Sequence, residues 1–419
     1  MTGLIVFSVA LLAWVLLSAR LQRWSITAAI VLTGAGLLAS WLPADTGGNL
    51  EPEWIRILIE ATLAVVLFTD ASSIAVGWFR REWRYPARLL GIGFPLTFVL
   101  GTLLALVLFS GLDVWVAAVI AAALAPTDAA LGLAILENEK IPLTFRQVIN
   151  VESGLNDGLA TPLVAFCIAL AAADVDHTLA HPVGSAVLQI AIGVCAGGVI
   201  GALAGFAVRV AAGKRLAEPL LVPVVPLAVA LTTYLVVVAV GGNGFVAAFV
   251  AGTAFGAAND TERHEARAHT YAPLPEAELL GFTRRAAQLM ALAVWFVFGA
   301  SVLSRIDLAA LPHVLLYAVL SLTVLRMVPV ALSAVGLHLP WDTVALAGWL
   351  GPRGLASVIF ALLAAEEIGG AEGDFVLEVV AVTVALSVVL HGLSAGPLAV
   401  WYAARHPAPQ APEHAGDPA

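Results

Sequence analysis

The sequence predicts an all-α polytopic membrane protein with about thirteen transmembrane helices, and three observations carry that prediction. Of its 419 residues 61% are hydrophobic and only 12% charged, far from the balance of a soluble globular domain. The apolar residues gather into about thirteen candidate spans, beginning near Leu4, Ser25, Trp54, Leu89, Val114, Thr144, Val183, Leu220, Gly242, Ala286, Leu308, Thr343 and Phe375, with the Gly242 run the weakest. Threading these runs alternately puts nearly all the twenty Lys and Arg on one side: Arg56 and Arg305 lie opposite, and Arg326 and Arg353 fall inside spans. Such a bias marks the cytoplasmic face and predicts an outside N-terminus and a cytoplasmic C-terminus.

In chain order, Leu4 to Ala19 has no basic flank and no small-residue cleavage pattern, so it reads as a retained first helix. Ala75 to Arg88 sets Trp78, Phe79, Trp83 and Tyr85 among arginines, the composition of a short segment anchored at the headgroups. Cys167 and Cys195 sit in apolar spans and read as soft hydrophobes rather than as a disulfide or metal pair. In the seventh span Gly193, Gly197, Gly201 and Gly205 line one helical face, which lets a neighbouring backbone come close, either as tight packing or as a sliding surface. Asp174, Asp176, His177 and His181 form a weak metal pattern, and His264 and His269 lie in a solvated loop from Asn259 to Phe282. Residues 1–402 read as one integral-membrane domain and 403–419 as a short disordered cytoplasmic tail. The net charge of -9 comes from acidic outer loops and intramembrane carboxylates, and does not point to a cationic partner or to nucleic acid.

The chemistry concentrates in the sixth span. At ~1.5 Å per residue Asp157 stands ~20 Å from Thr144, near the middle of a span that must cover ~30 Å of hydrocarbon. On a helix Glu152 and Asn156, and Ser153 and Asp157, are four apart, so the four side chains make a ladder of oxygen ligands along one stripe. Ionisable groups at membrane depth face a bundle interior or a water-filled cavity and mark ion or proton pathways. The alternative is a structural network that only ties helices together.

Two other spans carry helix breakers near their centres: Ala125 to Asp128 in the fifth and Gly351 to Gly354 in the twelfth. Their offset of seven spans predicts two inverted-topology six-helix repeats around a site at the midplane, the plan of a secondary transporter. Broken helices leave orphan amides and carbonyls with partial charges. Asp128 can answer the positive ends, and carbonyls around Thr127 can serve as cation ligands. Arg326 or Arg353 would answer the negative ends or pair with Glu152.

Taken together, Pro126 to Asp128, Glu152 to Asp157, the Gly-Asn-Gly-Phe-Val-Ala-Ala-Phe-Val-Ala-Gly run from Gly242 to Gly252, Arg326 and Gly351 to Gly354 resemble the electroneutral sodium/proton exchangers. The likeness is to the bacterial NhaP-type members of the monovalent cation/proton antiporter family. It implies a homodimer in the bacterial inner membrane. It also implies a dimerisation part (about 1–72 and 183–303) and a core (about 89–173 and 308–402) built around two crossed broken helices and moving like an elevator. The implied activity is exchange of Na+, with Li+ or K+ as alternatives, for a proton at 1:1, by a transporter that needs no cofactor. The resemblance makes Asp157 the residue that holds either the proton or Na+, with Asn156 beside it, Ser153 and the Thr127 carbonyl as ligands, and Asp128 at the crossover. It pairs Glu152 with Arg326 and places Arg353 in the second arginine motif. The rival readings are an uncoupled cation channel and, more distantly, an intramembrane aspartyl hydrolase.

Overall fold

The computed structural model describes residues 2–42, 52–73, 83–136, 138–176, 182–259, 276–306 and 311–407, and all regular structure among them is helical. The metal pattern at His177 and His181, His264 and His269, most of the anchoring segment after Ala75, and the tail beyond residue 407 lie outside the described residues. In order the helices are α1 (Thr2–Arg23), α2 (Ala28–Ser40), α3 (Pro52–Ser72), α4 (Arg84–Leu108), α5 (Val114–Ala123), α6 (Leu133–Leu136) and α7 (Leu143–Asp176). After these come α8 (Pro182–Gly213), α9 (Val225–Ala239), α10 (Gly244–Ala258), α11 (Glu276–Val297), α12 (Leu311–Ala334), α13 (Trp341–Trp349), α14 (Leu355–Ile368) and α15 (Gly370–Arg405). A helical segment stands at each expected span. Among the described residues eight segments are long and apolar enough to cross a bilayer alone, and shorter apolar helices at Ala28–Ser40, Val114–Ala123 and Gly244–Ala258 accompany them.

Local sequence explains where the short helices begin and end. Asp113 caps α5 by accepting from Trp115 N at 2.7 Å and Val116 N at 3.2 Å, and Asn243 caps α10 in the same way through Phe245 N and Val246 N. Pro126 forbids the continuation of α5, whose last residue is Ala123. Gly369 and Gly370, both at positive φ, turn the chain sharply from α14 into α15.

The helices pack in two groups that share α7. In one, α3, α8, α9, α10 and α11 pack together with α1 and α2 alongside; in the other, α5, α12, α14 and α15 surround the breaks. The glycine face of α8 is seated on α10. A Cβ at Gly193, Gly197 or Gly201 would run into Asn243, Ala247 or Ala251, so these glycines serve close packing within the first group. Within α7, Gly154 lies against Asp70 of α3 and Gly158 lies under the Phe249 ring of α10. Both cysteines are free, Cys167 buried and Cys195 exposed.

Candidate functional site

The breaks fall where the sequence places them and they touch each other. The chain leaves α5 at Leu124 and runs through Asp128 into a 3-10 turn, Ala129–Gly132. Between α13 and α14, residues 350–354 are non-helical. Asp128 N donates to Pro352 O at 2.8 Å, and Asp128 Oδ2 accepts from Leu355 N at 3.1 Å, so this carboxylate caps the amino end of α14. A Cβ at Gly354 would collide with the Asp128 side chain, which is why this position has none. In return Arg353, wholly buried, donates through Nη1 to Ala125 O at 2.6 Å and Pro126 O at 3.0 Å, covering the carbonyl end of α5. Each break therefore answers the partial charge of the other.

The stripe on α7 fans across this crossing. Ser153 Oγ donates to Thr127 O at 2.5 Å, Asn156 Nδ2 donates to Thr127 Oγ1 at 2.7 Å, and Thr127 N donates to Asn156 Oδ1 at 3.3 Å. Glu152, expected both among the ligands and as an arginine's partner, is found as the partner. Its oxygens take Arg326 Nη1 at 2.6 Å and Nη2 at 2.9 Å, a two-pronged pair with both side chains almost fully buried. Gly351 gives the Arg326 side chain the room to reach it.

Asp157 differs from Glu152, one turn earlier on the same helix. It is 6% exposed and its Oδ1 has no protein hydrogen-bond partner, although both Glu152 oxygens are engaged. Thr161 Oγ1 donates to the Asp157 backbone carbonyl at 2.7 Å, and Pro162, lacking an N–H, deprives the Gly158 carbonyl of its helical donor. A small cavity lined by Thr127, Asp128, Ile149, Ser153, Leu350 and Pro352 adjoins the break. Among the described residues no group of His, Cys, Asp and Glu has the makings of a multi-ligand metal centre.

One acid escaped the sequence reading. Asp70, near the end of α3, lies against Gly154, on the stretch of α7 that carries Ser153 and Asp157. It brings an acidic residue of the other helix group against the helix that carries the stripe. The signal was available: an acid close to an apolar run, the same rule that singled out Asp157.

A polytopic helical membrane protein with two capped, mutually touching helix interruptions beside a buried, incompletely satisfied aspartate is the class this architecture defines. The sodium/hydrogen exchanger transmembrane family matches residues 6–401, and the chain belongs to that family. It is 25% identical over 362 residues to the Na(+)/H(+) antiporter ApNhaP of Aphanothece halophytica, a match that takes in 83% of this chain and 64% of that relative's length. The fold matches the sodium proton antiporter MjNhaP1 of Methanocaldococcus jannaschii in two structures. One, at pH 8, has a TM-score of 0.73 and 18% identity over 96% of this chain and 99% of the other; the second has 0.72 and 19% over 94% and 96%.

Proposed function

We propose that this chain is a secondary antiporter that exchanges a monovalent cation, sodium foremost, for a proton, with Asp157 carrying one or the other in turn. The observation that carries the reading is Asp157 itself: a buried carboxylate with an unpartnered oxygen, beside Ser153, Thr127 and Asn156, in a chain whose relatives are named sodium/proton antiporters. A lone buried charge is costly, so the site crosses the membrane readily only when a cation or a proton neutralises it. Competition for one carboxylate enforces exchange.

Glu152 is then a structural acid whose charge Arg326 cancels, and it drops out of the transport count. One titrating carboxylate gives one cation per proton and no net charge moved. Asp70 would offer the cation a further oxygen from the opposite helix group. The moving part would be about 89–173 and 308–402, riding against about 1–72 and 183–303 in a homodimer, in an inner membrane with the N-terminus outside. Coupled exchange of K+ is the closest alternative, because the same oxygens suit it and selectivity turns on sub-ångström fit.

The test is reconstitution in proteoliposomes with Na+, Li+ and K+ in turn, with and without an imposed membrane potential. Native protein should acidify or alkalinise the lumen on a cation gradient without carrying current, and Asp157→Asn should abolish this. Coupled flux retained by Asp157→Asn overturns the assignment of Asp157, and an uncoupled current overturns antiport in favour of a channel.

A further inference from the structure

The second break is braced from α15, a helix that contributes nothing to the proposed ligand set. Ser387, His391 and Ser394 stand at i, i+4 and i+7, on one face of that helix, and all three reach the break. Ser394 Oγ accepts the indole N–H of Trp349, the last residue of α13, at 2.9 Å. The His391 ring lies against the Trp349 ring, 4.9 Å between centroids at 36°. Ser387 Oγ accepts the backbone N–H of Arg353 at 2.7 Å. One helical face thus holds the chain both before the interruption and within it.

A hydroxyl that accepts a hydrogen bond still has a proton to place. His391 Nδ1 lies 3.1 Å from Ser387 Oγ and 3.0 Å from the Ser387 carbonyl, and both residues are buried. With Nδ1 bare, the Ser387 hydroxyl donates to it, and a directed chain runs from the Arg353 N–H through the serine to the imidazole. With Nδ1 protonated, that nitrogen turns to the Ser387 carbonyl and the chain is cut. The Arg353 N–H bond to Ser387 Oγ stands with either tautomer, and His391 keeps both Ser387 and the Trp349 ring within contact of one side chain.

Arg353 needs such support. Of its guanidinium nitrogens only Nη1 is hydrogen bonded, while Nε and Nη2 have no protein partner, so the aim of the side chain depends on where its backbone is held. Nη1 holds the carbonyls of Ala125 and Pro126, the two residues before Thr127. We propose that Ser387 and His391 are positioning residues for cation binding: they fix the Arg353 backbone, Arg353 fixes the carbonyls ahead of Thr127, and the Thr127 oxygens are thereby kept at the spacing a cation requires. The last step rests on the antiporter reading; the bracing does not.

The test uses full-length protein carrying Ser387→Ala, Ser387→Thr, His391→Leu or His391→Gln, with two readouts. Amide hydrogen exchange is followed over residues 121–130 and 350–356, and the sodium dependence of proton flux is followed in proteoliposomes. Ser387→Ala and His391→Leu should speed exchange at 121–130, where nothing has been substituted. They should also raise the apparent KM for sodium about tenfold, the scale of one lost buried hydrogen bond, with the maximal rate per folded molecule kept. Ser387→Thr and His391→Gln, which keep a hydroxyl and an acceptor, should stay close to native. Unchanged exchange at 121–130 in Ser387→Ala, or an unchanged KM with only a lower yield of folded protein, overturns the proposal. If native protein gives no sodium-driven proton flux, the antiporter reading falls, and the exchange pattern still decides the brace.

Discussion

The two helix interruptions invite comparison because they look alike in outline and differ in what they present. The first, around Pro126, turns the carbonyl and hydroxyl of Thr127 toward α7, where Ser153 and Asn156 meet them. The second presents a proline carbonyl, two glycines that leave room for neighbouring side chains, and a buried arginine, all directed at the first break or at Arg326. One break supplies oxygens and the other supplies bracing. Under the antiporter reading the two interruptions divide binding from support, so changes to the first should register in affinity and changes to the second in both stability and affinity.

The largest expected effect lies on the bracing side. Arg326→Ala leaves Glu152 buried without its partner, which should cost about 3–5 kcal/mol and lower the Tm in detergent markedly. Adding Glu152→Gln should recover a substantial part of that loss, and strict additivity of the two changes would count against the pair. Next, Gly354→Ala puts a methyl into the Asp128 carboxyl and should cost about 1–3 kcal/mol by overpacking. Gly132→Ala, just beyond the first break, meets only a Leu350 methyl at 4.0 Å and should be close to neutral; equal losses at the two glycines would erase the contrast drawn above.

On the ligand side, Thr127→Val removes the hydroxyl that accepts from buried Asn156 and should cost about 1 kcal/mol, read as a raised KM for sodium with only a modest fall in Tm. A fall in Tm with KM intact would make Thr127 a structural residue. The smallest effect belongs to Arg56, whose pairs with Glu60 at 2.7 Å and with Glu366 tie α3 to α14 at a half-exposed surface. Arg56→Gln should change stability by no more than about 1 kcal/mol, and the difference should vanish in high salt.

Much of the scaffold was legible in the sequence because bilayer thickness and helix breakers are strong, local signals. Pro126 and the Gly351 to Gly354 run mark both interruptions, and helical spacing brings Ser153, Asn156 and Asp157 to one region of α7. What the sequence left open were matters of reach between distant segments. Residue chemistry alone could not choose between Arg326 and Arg353 as the partner of Glu152, and only the family resemblance favoured Arg326; in the fold Glu152 meets Arg326, for whose side chain Gly351 makes way. Ser387 and His391 carry no pattern that separates them from ordinary polar residues of a membrane helix. Asp70 stands near the end of its apolar run, where the signal for an intramembrane acid is weakest, and the packing of α3 on Gly154 is what sets it against α7. The glycine ladder of α8 read first as tight packing and second as a sliding surface, and its seating on α10 within one helix group fits the packing reading.

That seating has a thermal consequence. Hydrocarbon surroundings provide no solvophobic drive between helices, so two backbones that meet through glycine are held by dispersion, which does not fade on cooling as the burial of oily surface from water does. The α8 and α10 seam should accordingly be indifferent to ionic strength and keep its cohesion in the cold, leaving the polar crossing at the two interruptions as the part of the molecule most responsive to its solution.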